Sequence, residues 1–228
     1  MMSKILVIAA HPDDEILGIG GTVRRYRNAN HDVECIILGE GMTSRANKRE
    51  DTPKGLIDDL HDQTIKAAQR IGYANVHFSN FPDNRFDSVD LLDIIKVVDS
   101  HIQRFQPEIV YTHHYGDLNI DHRKTFEAVI TACRPVGTYC VKEIYSFETP
   151  SSTEWQFQHG DKTFKANVFI DIEDTLQAKL DAMACYQSEL GEYPHPRSLE
   201  ALEIIAARWG TVVGKRYAEA FELIRKVE

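Results

Sequence analysis

The stretch Ile5-Leu6-Val7-Ile8-Ala9-Ala10-His11-Pro12-Asp13-Asp14-Glu15 decides how the rest of the chain is read. Its first half is a continuous apolar run of strand length, as expected for a buried strand. Its second half sets one imidazole and three consecutive carboxyl groups at the end of that strand. Neighbouring carboxylates raise one another's energy when ionised, and burial makes this worse. A cation at this point resolves the conflict. His11 and Asp14, three apart across a strand-to-helix turn, can face one ion, with Asp13 beside it. Imidazole nitrogen combined with carboxylate oxygen suits zinc better than calcium or magnesium, which take all-oxygen shells. A helix N-terminus decorated with acids accounts for one of the carboxylates. It does not account for a histidine directly off a buried strand.

A third ligand is available later. The segment Thr112-His113-His114-Tyr115-Gly116-Asp117-Leu118-Asn119-Ile120-Asp121-His122-Arg123 follows the apolar run Ile109-Val110-Tyr111 and precedes a helix-like stretch. Two polar clusters at the carboxyl ends of strands would meet at one edge of a parallel sheet, where open α/β folds bind their ligands. Further strand-like runs lie at residues 33–38, 76–78, 143–147 and 168–170. Helical periodicity occupies 16–26, 56–71 and 89–105, the second ending at Gly72 as a C-cap and the third stopping before Pro107. This alternation predicts an α/β fold with a Rossmann-like, mostly parallel sheet flanked by helices. After about Ser146 the character changes. Residues 149–153 read as a loop, 155–170 as extended with a turn near His159-Gly160-Asp161, and 176–186 and 199–213 as helices. This C-terminal region is expected to cap the sheet edge within one domain spanning 1–228. The glycines of Gly18-Ile19-Gly20-Gly21 come too late after the strand for a phosphate loop. They are expected to allow close packing of the first helix or to leave room at the pocket floor.

On these residues the chain resembles the PIG-L/LmbE family of zinc-dependent N-deacetylases, marked by an N-terminal His-Pro-Asp-Asp-Glu and a later Asp-His pair. Gly39-Glu40-Gly41 through Ser44-Arg45 is similar to the family's loop ending in a substrate-facing arginine, and Phe81-Pro82-Asp83 to a further family position. His195-Pro196-Arg197-Ser198, Arg208-Trp209-Gly210 and Tyr217-Ala218-Glu219-Ala220-Phe221 resemble one bacterial branch. The resemblance implies that His11, Asp14 and His122 bind Zn2+ and that Asp13 is the general base. It departs at one position: where the family often has His-x-Asp-His, this chain has Asn119. An amide can donate a hydrogen bond to a developing oxyanion but cannot deliver a proton. The proton for the leaving amine then falls to Asp13, once protonated, or to His113, His114 or His195.

One of the strand-end doublet His113-His114 is expected to line the pocket, and His114 is assigned to substrate binding with Arg45, His195 and Arg197. Asp121 is expected to orient a ligand, Glu15 to do the same or to open the helix, and Asp117 to cap or to touch substrate.

Composition bounds the rest. The 228 residues are 43% hydrophobic and 27% charged, an ordinary globular balance with length for a substantial core. A net charge of -9 argues against nucleic acid as the main partner. The four cysteines form no Cys-x-x-Cys pair and read as small buried apolar residues in a reducing compartment. No run is long enough for a membrane span and none resembles a signal sequence, so a cytoplasmic location is expected. The reading is a hydrolase removing the N-acetyl group from an N-acetylated amino sugar or glycoconjugate through zinc-activated water. Two alternatives stand beside it: a hydratase or lyase of a carboxylated small molecule on the same scaffold, favoured if Arg45, Arg85 and Arg197 converge on the metal, and a non-catalytic metal-binding protein. Family members are often multimeric, which keeps a homo-oligomer among the expectations.

Overall fold

The computed structural model describes residues 2–157 and 159–228. Its strands are β1 (Lys4–Ala9), β2 (Asp32–Gly39), β3 (Asn75–Phe81), β4 (Ile109–His113), β5 (Glu143–Phe147), β6 (Val168–Asp171) and β7 (Ala218–Lys226). They form one seven-stranded sheet in the order β3-β2-β1-β4-β5-β7-β6. The pairs among β1 to β5 are parallel, and β7 is antiparallel to both its neighbours. The Rossmann-like expectation therefore holds. The helices are α1 (Asp14–Leu17), α2 (Gly20–Asn28), α3 (Lys54–Ile71), α4 (Leu91–Phe105), α5 (Ile120–Ala132), α6 (Leu176–Met183) and α7 (Leu199–Val213).

Successive side chains of a strand point to opposite faces, so the apolar run of β1 feeds two core layers. Ile5 and Val7 pack with Val23, Ala67, Ile71 and Met183, on the side of α2, α3 and α6. Leu6 and Ile8 pack with Ile94, Val98 and Val129, on the side of α4 and α5. The strand order reverses between β1 and β4, and the loops leaving these two strands carry His11–Asp14 and Asp117–His122. That crevice holds the candidate site.

Two elements differ from the sequence reading. The helix expected over 16–26 is broken at Gly18-Ile19 into α1 and α2. The cap region does bring helices over the edge, but it also extends the sheet, because the tail resembling a family motif is the strand β7. The backbone leaves the helical region at Ile19 (φ -144°, ψ 6°), while Gly18 is needed for space, since a Cβ there would run into the ring of the fully buried Phe147. Phe147 in turn meets the His113 ring edge-on at 4.9 Å, next to the site. Gly18→Ala is expected to cost about 1–3 kcal/mol through overpacking, read as a lower urea midpoint at an unchanged slope.

Candidate metal centre and active site

Three side chains offer ligand atoms within 4.8 Å of one another: His11, Asp14 and His122. Each is oriented from behind. His11 Nε2 lies 2.9 Å from Asp121 Oδ2, which leaves Nδ1 facing Asp14 Oδ2 at 3.4 Å. Asp121 itself accepts the backbone N–H groups of Asn84 (2.6 Å) and Phe86 (2.8 Å). These contacts place it behind His11, where the sequence reading expected an orienting acid. His122 opens α5 with Nε2 at 3.3 Å from Asp14 Oδ2 and Nδ1 at 3.1 Å from Asp117 Oδ1. Asp117 is held by the Thr153 hydroxyl (2.6 Å) and the Ser152 hydroxyl. Carboxylates behind imidazoles are the usual way of fixing a metal ligand's tautomer and direction.

The donor set passes the test for zinc. Two imidazole nitrogens and one carboxylate oxygen, with His11 and the neighbouring Asp13 lining a cavity, match the three-ligand donor set of catalytic zinc sites. The electrostatics agree. Burial lowers the pKa of His122, but the carboxylates of Asp14 and Asp117 overcome this and raise it to about 9. Burial likewise pushes Asp14 up, yet the imidazoles of His122 and His113 bring it well below the usual carboxylate range. Positive charge is favoured at this spot. A second grouping, His11 with Asp83 and Asp121, is as close. Its oxygens are more fully engaged, Asp83 Oδ2 accepting both the N–H and the hydroxyl of Ser44.

Asp13 lies beside the trio at the floor of a cavity of about 130 Å³, also lined by Arg45, Asn84, Asn119, Glu189 and Arg197. Its backbone is at φ 101°, a conformation uncommon outside glycine and tolerated best by Asn and Asp. Glu15 holds it there, accepting the Asp13 N–H at 3.0 Å while the Tyr186 hydroxyl donates to the other oxygen. Burial above all raises the Asp13 carboxyl well above the usual range, and Arg197, donating to Oδ2 at 2.9 Å, pulls it back in part. Arg197 is fixed by Ser151 Oγ (2.7 Å) and Glu189 Oε2 (3.2 Å). Arg45 meets the same Glu189 oxygen at 2.6 Å. Asn119 is the N-cap of α5: its Oδ1 accepts the Asp121 N–H, and Nδ2 donates to Asn84 at 3.0 Å with one N–H left over. Arg45, Arg197 and Asn119 thus reach the cavity, while Arg85 is not among its lining residues.

Two substrate-binding assignments land elsewhere. His114 turns away from the cavity, its Nε2 at 2.9 Å from the Lys162 carbonyl. The alternation of the strand aims its neighbour His113 at the site instead, 3.4 Å from Asp14 Oδ2. His113 Nε2 accepts the Ala10 N–H (2.8 Å), so Nδ1 carries the hydrogen toward Thr149 (3.1 Å), and burial lowers its pKa to about 3. Its Nδ1 hydrogen points at Thr149, and His113 is not among the residues lining the cavity. His195 stands behind Arg197, its Nδ1 accepting the Arg197 N–H at 3.1 Å. Of the groups considered for protonating the amine, Asp13 alone lines the cavity. Glu189, which ties Arg45 to Arg197, was missed. It is an isolated acid in a polar stretch with no local pattern to mark it.

Residues 6–133 match the family model of GlcNAc-PI de-N-acetylase, PIG-L. The chain belongs to this family. Within it, the chain is 25% identical over 98% of its length to the diacetylchitobiose deacetylase of Thermococcus kodakarensis, covering 84% of that protein. It is 30% identical over 81% of its length to the uncharacterized deacetylase YaiS of Escherichia coli, covering 90% of it. The PIG-L fold is shared more widely: GalB, the 4-carboxy-2-hydroxymuconate hydratase of Pseudomonas putida, superposes with a TM-score of 0.77 at 20% identity, over 100% of this chain and 99% of that one. In this PIG-L chain no helix among the described residues is long and apolar enough to cross a membrane.

Proposed function

We propose that the chain is a metal-dependent N-deacetylase that removes acetate from an N-acetylated amino sugar or its conjugate. The observation that carries this reading is the His11–Asp14–His122 trio with Asp13 beside it at the floor of a small polar cavity. His11, Asp14 and His122 would hold a divalent cation, zinc by their chemistry, which would supply Lewis acidity toward the amide carbonyl and lower the pKa of a water. The residues of the chain do the rest. Asp13, held in line by Arg197, takes the proton that water loses as its oxygen bonds the carbonyl carbon, and returns it to the amine nitrogen as the C–N bond breaks and acetate leaves. Its raised pKa suits a group that must be both base and acid. The free N–H of Asn119 is available to a developing oxyanion, where loss of one good donor commonly costs about a hundredfold or more in rate. Arg45 and Arg197 flank the sugar.

The hydratase reading is less well supported. Arg45 and Arg197 do line the cavity, but the first is paired with Glu189 and the second with Asp13 and Glu189, so little unpaired positive charge remains for a substrate carboxylate. The test is acetate release from a panel of N-acetylglucosamine derivatives by metal-loaded protein. Release that stops on chelation and returns with zinc is expected. No release from any of them with metal bound sinks the reading.

A further inference from the structure

A second, larger hollow of about 480 Å³ lies between α7 and the segments 148–154 and 193–196, walled by Phe164, Tyr193, Pro196, Ile204 and Trp209. From it we infer that the substrate carries an apolar, aromatic aglycone and that this hollow is its subsite. The inference rests on the deacetylase reading above.

Three observations carry it. The first is size. The catalytic cavity, at about 130 Å³, is well under the roughly 300–1,000 Å³ of sites that enclose whole small ligands, whereas the hollow falls within that range. The catalytic cavity takes the acetamido end, and the remainder of a conjugate must lie outside it. The second is that neighbouring residues line the two spaces. Arg197 lines one side and its neighbour Pro196 the other. A single ladder crosses between them: Asp13 Oδ2 accepts from Arg197, Arg197 Nε donates to Ser151 Oγ, and the Ser151 N–H donates to Glu154 Oε1 at 2.6 Å on the wall of the hollow. The third is the chemistry of the walls. The Trp209 indole is locked in place, its N–H donating to Glu148 and its ring covered by the Arg208 guanidinium at 3.7 Å. A fixed indole beside exposed Tyr193 and Ile204 offers rigid apolar area at low entropic cost to a planar ring. The carboxylates of Glu148 and Glu154 and the guanidinium of Arg208 at its edge offer hydrogen-bond partners to polar substituents on that ring.

The experiment compares kcat/KM for acetate release from phenyl N-acetyl-β-D-glucosaminide and from N-acetylglucosamine, in the wild type and in Ile204→Glu. It is paired with tryptophan fluorescence titration by phenyl β-D-glucoside, which has no acetamide. The wild type is expected to prefer the phenyl glycoside about tenfold, as burial of one aromatic ring allows, mainly through KM. In Ile204→Glu the ratio is expected to fall to about one and the saturable quenching to disappear. Quenching that is saturable in the wild type and lost in the variant, with no acetate released from either sugar, ends the deacetylase reading while the hollow stands as an aryl-glycoside site. Equal kcat/KM values together with no quenching in the wild type overturn the subsite. So does a variant whose oligomeric state changes while its ratio does not, which assigns the face to a second copy of the chain.

Discussion

Asp13→Asn is expected to lower kcat for acetate release by about 10²- to 10⁴-fold while metal content per chain stays at the wild-type level. The substitution isolates one property. Asparagine has the same shape, tolerates the φ of 101° at this position, and leaves the Asp13 N–H bond to Glu15 in place because that bond is made by the backbone. Its amide oxygen can still accept from Arg197. What it cannot do is take a proton and hand it on. Asp13 is outside the His11–Asp14–His122 trio, so the ligand set is intact. Elemental analysis and single-turnover acetate release on the same preparation check both halves. Full turnover would exclude Asp13 as the base. Loss of metal along with activity would mean that the charge at Asp13 helps to hold the cation.

The parts of this protein that were legible beforehand are those where a single physical cause acts locally. β1 is buried on both faces and stands out as an unbroken apolar run, and β2 and β4 carry shorter ones, Cys35-Ile36-Ile37-Leu38 and Ile109-Val110-Tyr111. His11 and Asp14 stand out because an imidazole and an acid at the end of such a run have no structural reason to be there, whereas His122, already inside α5, was picked out by the resemblance to the family's Asp-His pair. β7 was not recognised as a strand for the opposite reason. It is antiparallel, and its opening Ala218-Glu219-Ala220-Phe221 places a charge where a buried strand is expected to be apolar. Glu219 is nonetheless buried, because its partners come from residues far away in sequence. The doublet His113-His114 shows the limit within the site. Both residues sit at a strand end, and only the pleat, which depends on the exact register of β4, sends His113 to Asp14 and His114 to Lys162. Glu189 and Ser151 belong to the site through long-range ladders and carry no local mark.

The same Glu219 leads to the largest expected effect on stability: Lys179→Met should cost about 3–5 kcal/mol, a large share of the total stability of an ordinary domain. Lys179 and Glu219 are 5% and 4% exposed, and Nζ donates to Glu219 Oε1 at 2.6 Å and to the Leu17 carbonyl at 2.8 Å. Glu219 also accepts the backbone N–H groups of Gly21 (3.0 Å) and Thr22 (2.7 Å), in the first turn of α2. One buried pair therefore satisfies the end of α1 and the start of α2 across the break at Gly18-Ile19. Removing the ammonium leaves a buried carboxylate without its countercharge and the Leu17 carbonyl without its donor. In many buried pairs, replacing both partners by apolar groups restores stability. Here an apolar residue at 219 would orphan the N–H groups of α2 instead. Lys179→Met combined with Glu219→Gln, which keeps a neutral acceptor for one of those groups, is expected to recover part of the loss. A double variant with Leu at 219 is expected to recover less. Urea unfolding of the three variants gives the order. A single Lys179→Met variant within about 1 kcal/mol of wild type would show that Glu219 needs no countercharge. Because α1 carries Asp14, the same variants should also bind metal more weakly than wild type if this clamp sets the position of the ligand loop.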